Sequence, residues 1–177
     1  FLFLMNFSLF FNGPKISVLQ HYWSLSIEEQ FYIFWPAFFK FLRGKRSLYF
    51  PLGVLLGIIA GRALVVVLYR VHPSQLLLDV LETLSISKFG SISLGVIAAW
   101  LLHHKSGLLK YIYHPLAQVS AWVVLFGTIF SNYKIPYIHF EVTAFFYAIV
   151  VLNVTSNGKT LLSAETKWLD HLGVISY

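Results

Sequence analysis

LYFPLGVLLGIIAGRALVVVLY, residues 48–69, is a run of 22 residues with a single charge, Arg62. A helix of about 20 apolar residues crosses the roughly 30 Å hydrocarbon core of a bilayer, so this stretch has the length of a membrane span. The rest of the chain repeats its character. Its 177 residues are 58% hydrophobic and 11% charged, with a mean hydropathy of +0.72. A soluble domain of this size has no core large enough to hide so much apolar surface. Seventeen Phe and ten Tyr suit a lipid-facing surface with aromatic belts.

Four more apolar stretches of similar length accompany the first, at Leu25–Leu42, Ile86–Leu102, Pro115–Ser131 and Tyr137–Val154. The run from Phe1 to Phe11 looks like the tail of another span, and Leu172 to Tyr177 like the start of one. The expected fold is therefore all-α, a polytopic transmembrane helix bundle with one partial span, five full spans and the beginning of a further one. Both ends look cut, so residues 1–177 are expected to form part of a larger membrane domain. Breakers such as Asn12-Gly13-Pro14, His72-Pro73-Ser74 and Asn157-Gly158 separate the runs. Ser74 to Ser85 has Leu76, Leu77, Val80, Leu81 and Leu84 on one helical face, which predicts a short amphipathic helix lying in the interface.

The formal charge of +6 does not gather on one soluble face, and no basic-aromatic nucleic-acid surface is legible. The lysines and arginines sit in short loops, eight in one alternate set and four in the other, which places the richer set in the cytoplasm. With no Cys there is no thiol nucleophile and no Cys-ligated zinc. No histidine spacing matches a helical metal motif, and neither a P-loop nor a dinucleotide glycine fingerprint is present. Gly53, Gly57 and Gly61 recur at every fourth position, as do Ser91, Gly95 and Ala99; both rows predict close helix packing.

Chemistry concentrates at His21–Pro36, HYWSLSIEEQFYIFWP. Ser26-Ile27-Glu28-Glu29 fits a capping box, Ser26 capping a helix and Glu29 reaching back. Glu28 is left over, one turn from Ser24 and from Tyr32, with Trp35 continuing the ridge. Arg62 lies seven residues from the end of its span, about 10 Å deep at 1.5 Å per residue. It either snorkels to the interface or pairs with Glu28 or Glu29. His21 precedes the motif, and His139 opens the last full span with Glu141; carboxylates accompany both, as they would a general base.

His21–Pro36 resembles the signature of the acyltransferase family 3 membrane proteins, which runs close to H-x-W-S-L-x-x-E-E-Q-F-Y-x-x-x-P. Phe89–Ala98 is similar to that family's small-residue helix, although Lys88 stands where relatives often carry Arg, and Leu172–Tyr177 is similar to the start of a later one. The resemblance implies a bundle of about ten helices that transfers an acyl group, often acetyl from acetyl-CoA, to a hydroxyl of an exported glycan or lipid. It implies no bound cofactor, acyl-CoA as donor substrate, and residence in the bilayer, with a bacterial inner membrane the natural location. Family members carry an Arg and a His implicated in catalysis on a first helix that this sequence does not include. On these grounds Glu28 and His21 are the catalytic candidates, and Trp23, Ser24, Tyr32 and Arg62 the substrate-binding ones. The motif is expected to face outward while acyl-CoA is cytoplasmic, so the acyl group would have to cross. A polytopic glycan or lipid transporter or flippase is the alternative that composition and Arg62 fit equally well. A structural or decayed membrane protein is a third reading.

Overall fold

The computed structural model describes residues 20–42, 44–86, 88–131 and 135–161, with the side chains of 20–26, 45 and 86 outside the description. Every regular element among these residues is helical: α1 (Gln20–Phe41), a 3₁₀ turn (Gly44–Leu48), α2 (Tyr49–Val71), α3 (Gln75–Ile86), α4 (Phe89–His103), α5 (Leu109–Ile112), α6 (Pro115–Ser131) and α7 (His139–Ser156). The five apolar stretches expected as spans fall on helices α1, α2, α4, α6 and α7. The stretches at 1–11 and 172–177 lie outside the described residues. Three helical segments are long and apolar enough to cross a membrane, Arg46–Val71, Gln75–His103 and His139–Ser156; α6 is apolar but shorter. Helix α1 has 22 residues but is not among the three, since His21, Glu28, Glu29 and Gln30 dilute its apolar character. The protein thus has the helices of a membrane protein.

The chain divides into two compact units, Phe1–Ile97 with Ile135–Glu141, and Ala98–Lys134 with Val142–Tyr177. In the first, α1 buries Ile27, Gln30 and Trp35. Trp35 meets Phe50 of α2 edge-on at 4.8 Å between ring centroids, and Phe38 stacks on Phe50 at 4.1 Å. Such pairs contribute about 0.5–1.5 kcal/mol each beyond burial. Between them the chain turns through Gly44, whose φ of +68° is strained for a residue with a Cβ. Helix α3 begins where the sequence indicates: Ser74 Oγ accepts from Leu77 N at 3.3 Å. It packs on α2 with Leu81 buried, whereas Leu76 of the expected apolar face is exposed.

Two expectations fail. The helix carrying the motif is already formed by Gln20, so Ser26 lies well inside it and the capping box does not exist. The reason is that His21 to Leu25 are themselves helix-compatible and extend the element upstream. Among the described residues the glycine row of α2 also makes no close packing, because a Cβ added at Gly53, Gly57 or Gly61 would meet nothing there within 4 Å. The buried stripe of α2 runs instead through Pro51, Arg62 and Val65, on another face. Gly95 is equally open.

In the second unit, buried amides hold a corner together. Asn153 Nδ2 donates to Ile112 O at 3.0 Å and to Ile149 O at 2.9 Å. Asn157 Nδ2 donates to Asn153 Oδ1 at 2.8 Å and to Tyr113 O at 3.3 Å. Gln118 Nε2 donates to Tyr113 O at 3.1 Å while Gln118 Oε1 accepts Leu161 N at 2.9 Å. These side chains satisfy carbonyls of the short α5–α6 connection that no helix would satisfy. Asn153→Ala is expected to leave the Ile112 carbonyl without this donor and to cost about 1–3 kcal/mol, seen as a lower thermal midpoint. Thr155→Ala, on the exposed side of the same helix, should leave that midpoint nearly unchanged.

Candidate functional site

Arg62 is 2% exposed in the middle of α2. A guanidinium has five N–H donors and keeps its charge, so in an apolar bundle it must find acceptors and a counter-ion. Nε and Nη2 both donate to Leu84 O, at 2.9 and 2.5 Å. Nη1 donates to Tyr137 O at 2.6 Å and to Glu141 Oε2 at 2.8 Å. Leu84 belongs to the last turn of α3, where carbonyls lack intrahelical partners and the helix end is negative. Glu141 sits in the first turn of α7, where the positive end favours a carboxylate. One side chain therefore binds a helix C-terminus and the counter-charge on a helix N-terminus.

The surroundings are built to fit. Tyr137 has a φ of +63°, and Ile138 N donates to Pro136 O at 2.8 Å, forming a γ-turn that presents the Tyr137 carbonyl to Arg62. A non-glycine residue there costs about 1–3 kcal/mol and persists where its surroundings over-determine it. Gly90 of α4 lies against Glu141: a Cβ on it would come within 2.5 Å of Oε1. Ser91 Oγ donates to Phe140 O at 3.2 Å, tying the start of α4 to the same turn. Glu141 Oε1 is buried and accepts no hydrogen bond from the described residues. His139 is half-buried beside it in sequence.

The expected partner of Arg62 is thus corrected. Its ion pair is with Glu141, not with Glu28 or Glu29. Glu28 is exposed and Tyr32 is 69% exposed, while Trp35 is buried, so the expected ridge of carboxylate, phenol and indole is open at its first two members and packed at its third. The 100° step keeps Trp35 close in angle to Glu28, so the difference lies along the length of α1: Trp35 reaches Phe50 of α2, while Glu28 and Tyr32 lie about two turns and one turn nearer the start of the helix. The side chains of His21, Trp23 and Ser24 lie outside the described residues. Gln30, read only as part of the motif, is 4% exposed and joins the packed face. Glu141 could have been found by the logic that singled out Arg62, as a lone carboxylate within an apolar run in the same expected half of the membrane. Among the described residues no three His, Asp or Glu side chains converge as metal ligands. No family profile, curated protein or solved structure matches this chain.

Removing one partner of a buried pair strands the other, at about 3–5 kcal/mol, whereas removing both for apolar groups is often close to neutral. Arg62→Met and Glu141→Met are each expected to lower the unfolding midpoint sharply, and the double substitution to recover most of the loss. Additive losses in that double-mutant cycle would show that the two groups do not depend on each other. Gly90→Ala should destabilise through the same contact.

Proposed function

We propose that this chain is part of an integral membrane O-acyltransferase that moves an acyl group, acetyl in the simplest case, from acyl-CoA to a hydroxyl of an exported glycan or lipid. The observation that carries the reading is the stretch His21–Pro36 on α1, with adjacent carboxylates and aromatic residues at the spacing of the acyltransferase family 3 signature. The exposure of Glu28 and Tyr32 supports it, because a group that meets a large acceptor must be reachable from outside the helix packing. A multi-pass protein of a bacterial inner membrane is the corresponding location.

Acyl transfer without a cysteine proceeds most simply in one exchange. A base takes the proton of the acceptor hydroxyl, whose oxygen attacks the thioester carbonyl. The tetrahedral intermediate collapses, the C–S bond breaks, and the CoA thiolate leaves and takes up a proton. In this reading Glu28 orients the base or binds the acceptor, with His21 the adjacent imidazole and Trp23, Ser24 and Tyr32 forming the wall. Arg62 is assigned a positioning role, since its donors engage Leu84, Tyr137 and Glu141. A second reading, a glycan or lipid transporter or flippase, draws on the buried Arg62–Glu141 pair, because intramembrane charges often mark a path.

Acyl-CoA dependence separates the two. The purified protein should consume acyl-CoA with stoichiometric release of free thiol when a glycan or lipid acceptor is supplied; acceptor movement without thiol release would favour transport. Glu28→Gln is expected to reduce acyl transfer by at least a hundredfold, the scale of a lost acid–base contribution, with membrane insertion intact. Unchanged turnover in that variant would remove Glu28 from the site.

A further inference from the structure

We infer that the corner of the second unit formed by the α4–α6 connection and the end of α7 is a binding surface for anionic phospholipid headgroups. Charge is the first support. The described residues of this unit, 98–131 and 142–161, include Lys105, Lys110 and Lys159 and no carboxylate. All three lysines are exposed, as are His103, His104 and His114. Glu165 and Asp170 of the same unit lie outside the described residues, and a surface with an excess of cations attracts anions from outside.

The segments that carry the lysines are also held in place. Asn157 donates to Tyr113 O and accepts Lys159 N at 3.0 Å, so the end of α7 is fixed against the connection that carries Lys110. Asn153 anchors the same connection through Ile112 O. At the end of α4, Ser106 N donates to Leu101 O at 3.0 Å and Lys105 N to Leu102 O at 3.1 Å, a Schellman ending whose left-handed residue is Lys105, with φ +46°. Glycine is the unstrained choice at that position. The chain places a cation there instead, near the negative end of the helix.

Exposed apolar groups select lipid over a soluble anion. Leu108, Tyr111 and Leu116 are 56%, 65% and 73% exposed around the same corner. The Lys110 Nζ lies 4.8 Å from the Tyr111 ring centroid, and Trp100 stacks on His104 at 4.1 Å. Lysine beside Tyr, Trp and Leu is the composition of a bilayer interface, where headgroup phosphates meet the cations and acyl chains cover the apolar side chains. A free phosphate would leave Leu108 and Leu116 in water.

The test uses the protein in nanodiscs of phosphatidylcholine mixed with phosphatidylglycerol, with retained lipids counted by native mass spectrometry. Phosphatidylglycerol should be enriched over phosphatidylcholine, by about fivefold for each engaged lysine at low salt, and the enrichment should fall as salt screens it. Lys105→Gln/Lys110→Gln/Lys159→Gln should lose most of the enrichment, and the corresponding Lys→Arg triple should retain it. Enrichment that is absent in the unsubstituted protein, insensitive to salt, or unchanged in the Gln triple overturns the proposal. Displacement of phosphatidylglycerol by inorganic phosphate or coenzyme A also overturns it, in favour of a soluble-anion site. If the Gln triple does not insert, the salt dependence of the unsubstituted protein decides.

Discussion

A guanidinium cannot be left alone among apolar helices, and the first unit is arranged around that constraint. Arg62 reaches the end of α3 through Leu84 O, the turn before α7 through Tyr137 O, and α7 itself through Glu141. Each contact is one that the partner also needs. The α3 carbonyl has no helical donor, the γ-turn at Tyr137 is strained, and the Glu141 carboxylate is buried. A buried ion pair is weak evidence for stability when compared with an apolar replacement. Its value here is positional, because the donors of one side chain fix the relative placement of segments far apart in sequence.

Glu141 completes the arrangement and leaves one oxygen over. Oε2 meets Arg62, while Oε1 lies against the bare Cα of Gly90 and accepts no hydrogen bond from the described residues. Among the described residues the glycine in close contact is therefore not in the regular row on α2 but at the start of α4. Close approach is decided by what stands opposite a residue, and spacing along one helix carries no information about that.

The motif of α1 presents a different physical situation. Its apolar and aromatic members share the work of packing, Trp35 against Phe50 and Ile27 in the interior, while Glu28 and Tyr32 remain outside. The sequence marks Glu28 as a carboxylate unexplained by capping. The longer helix removes the cap that was to account for Ser26 and Glu29, so Glu29 is left unexplained as well. The acyl-transfer reading rests on this segment.

Length and hydropathy alone determine much of this protein. The helices at 49–71, 89–103, 115–131 and 139–156, and the amphipathic α3 starting behind Ser74, are legible because helix formation and burial depend on the local pattern. The charge of Arg62 and its depth are equally local, so the need for a partner can be read in advance. Which carboxylate answers that need cannot, because Glu28, Glu29 and Glu141 are chemically equivalent candidates until the chain is folded. Tertiary structure decided it by bringing the start of α7, 79 residues away, within 2.8 Å of the guanidinium. It also decided that Gly90 rather than the α2 glycine row makes the close contact, and that Trp35 and Glu28 face different surroundings. The physical reason is common to all three: propensity and periodicity act within a helix, whereas pairing and packing are set by the angle and register at which separate helices meet.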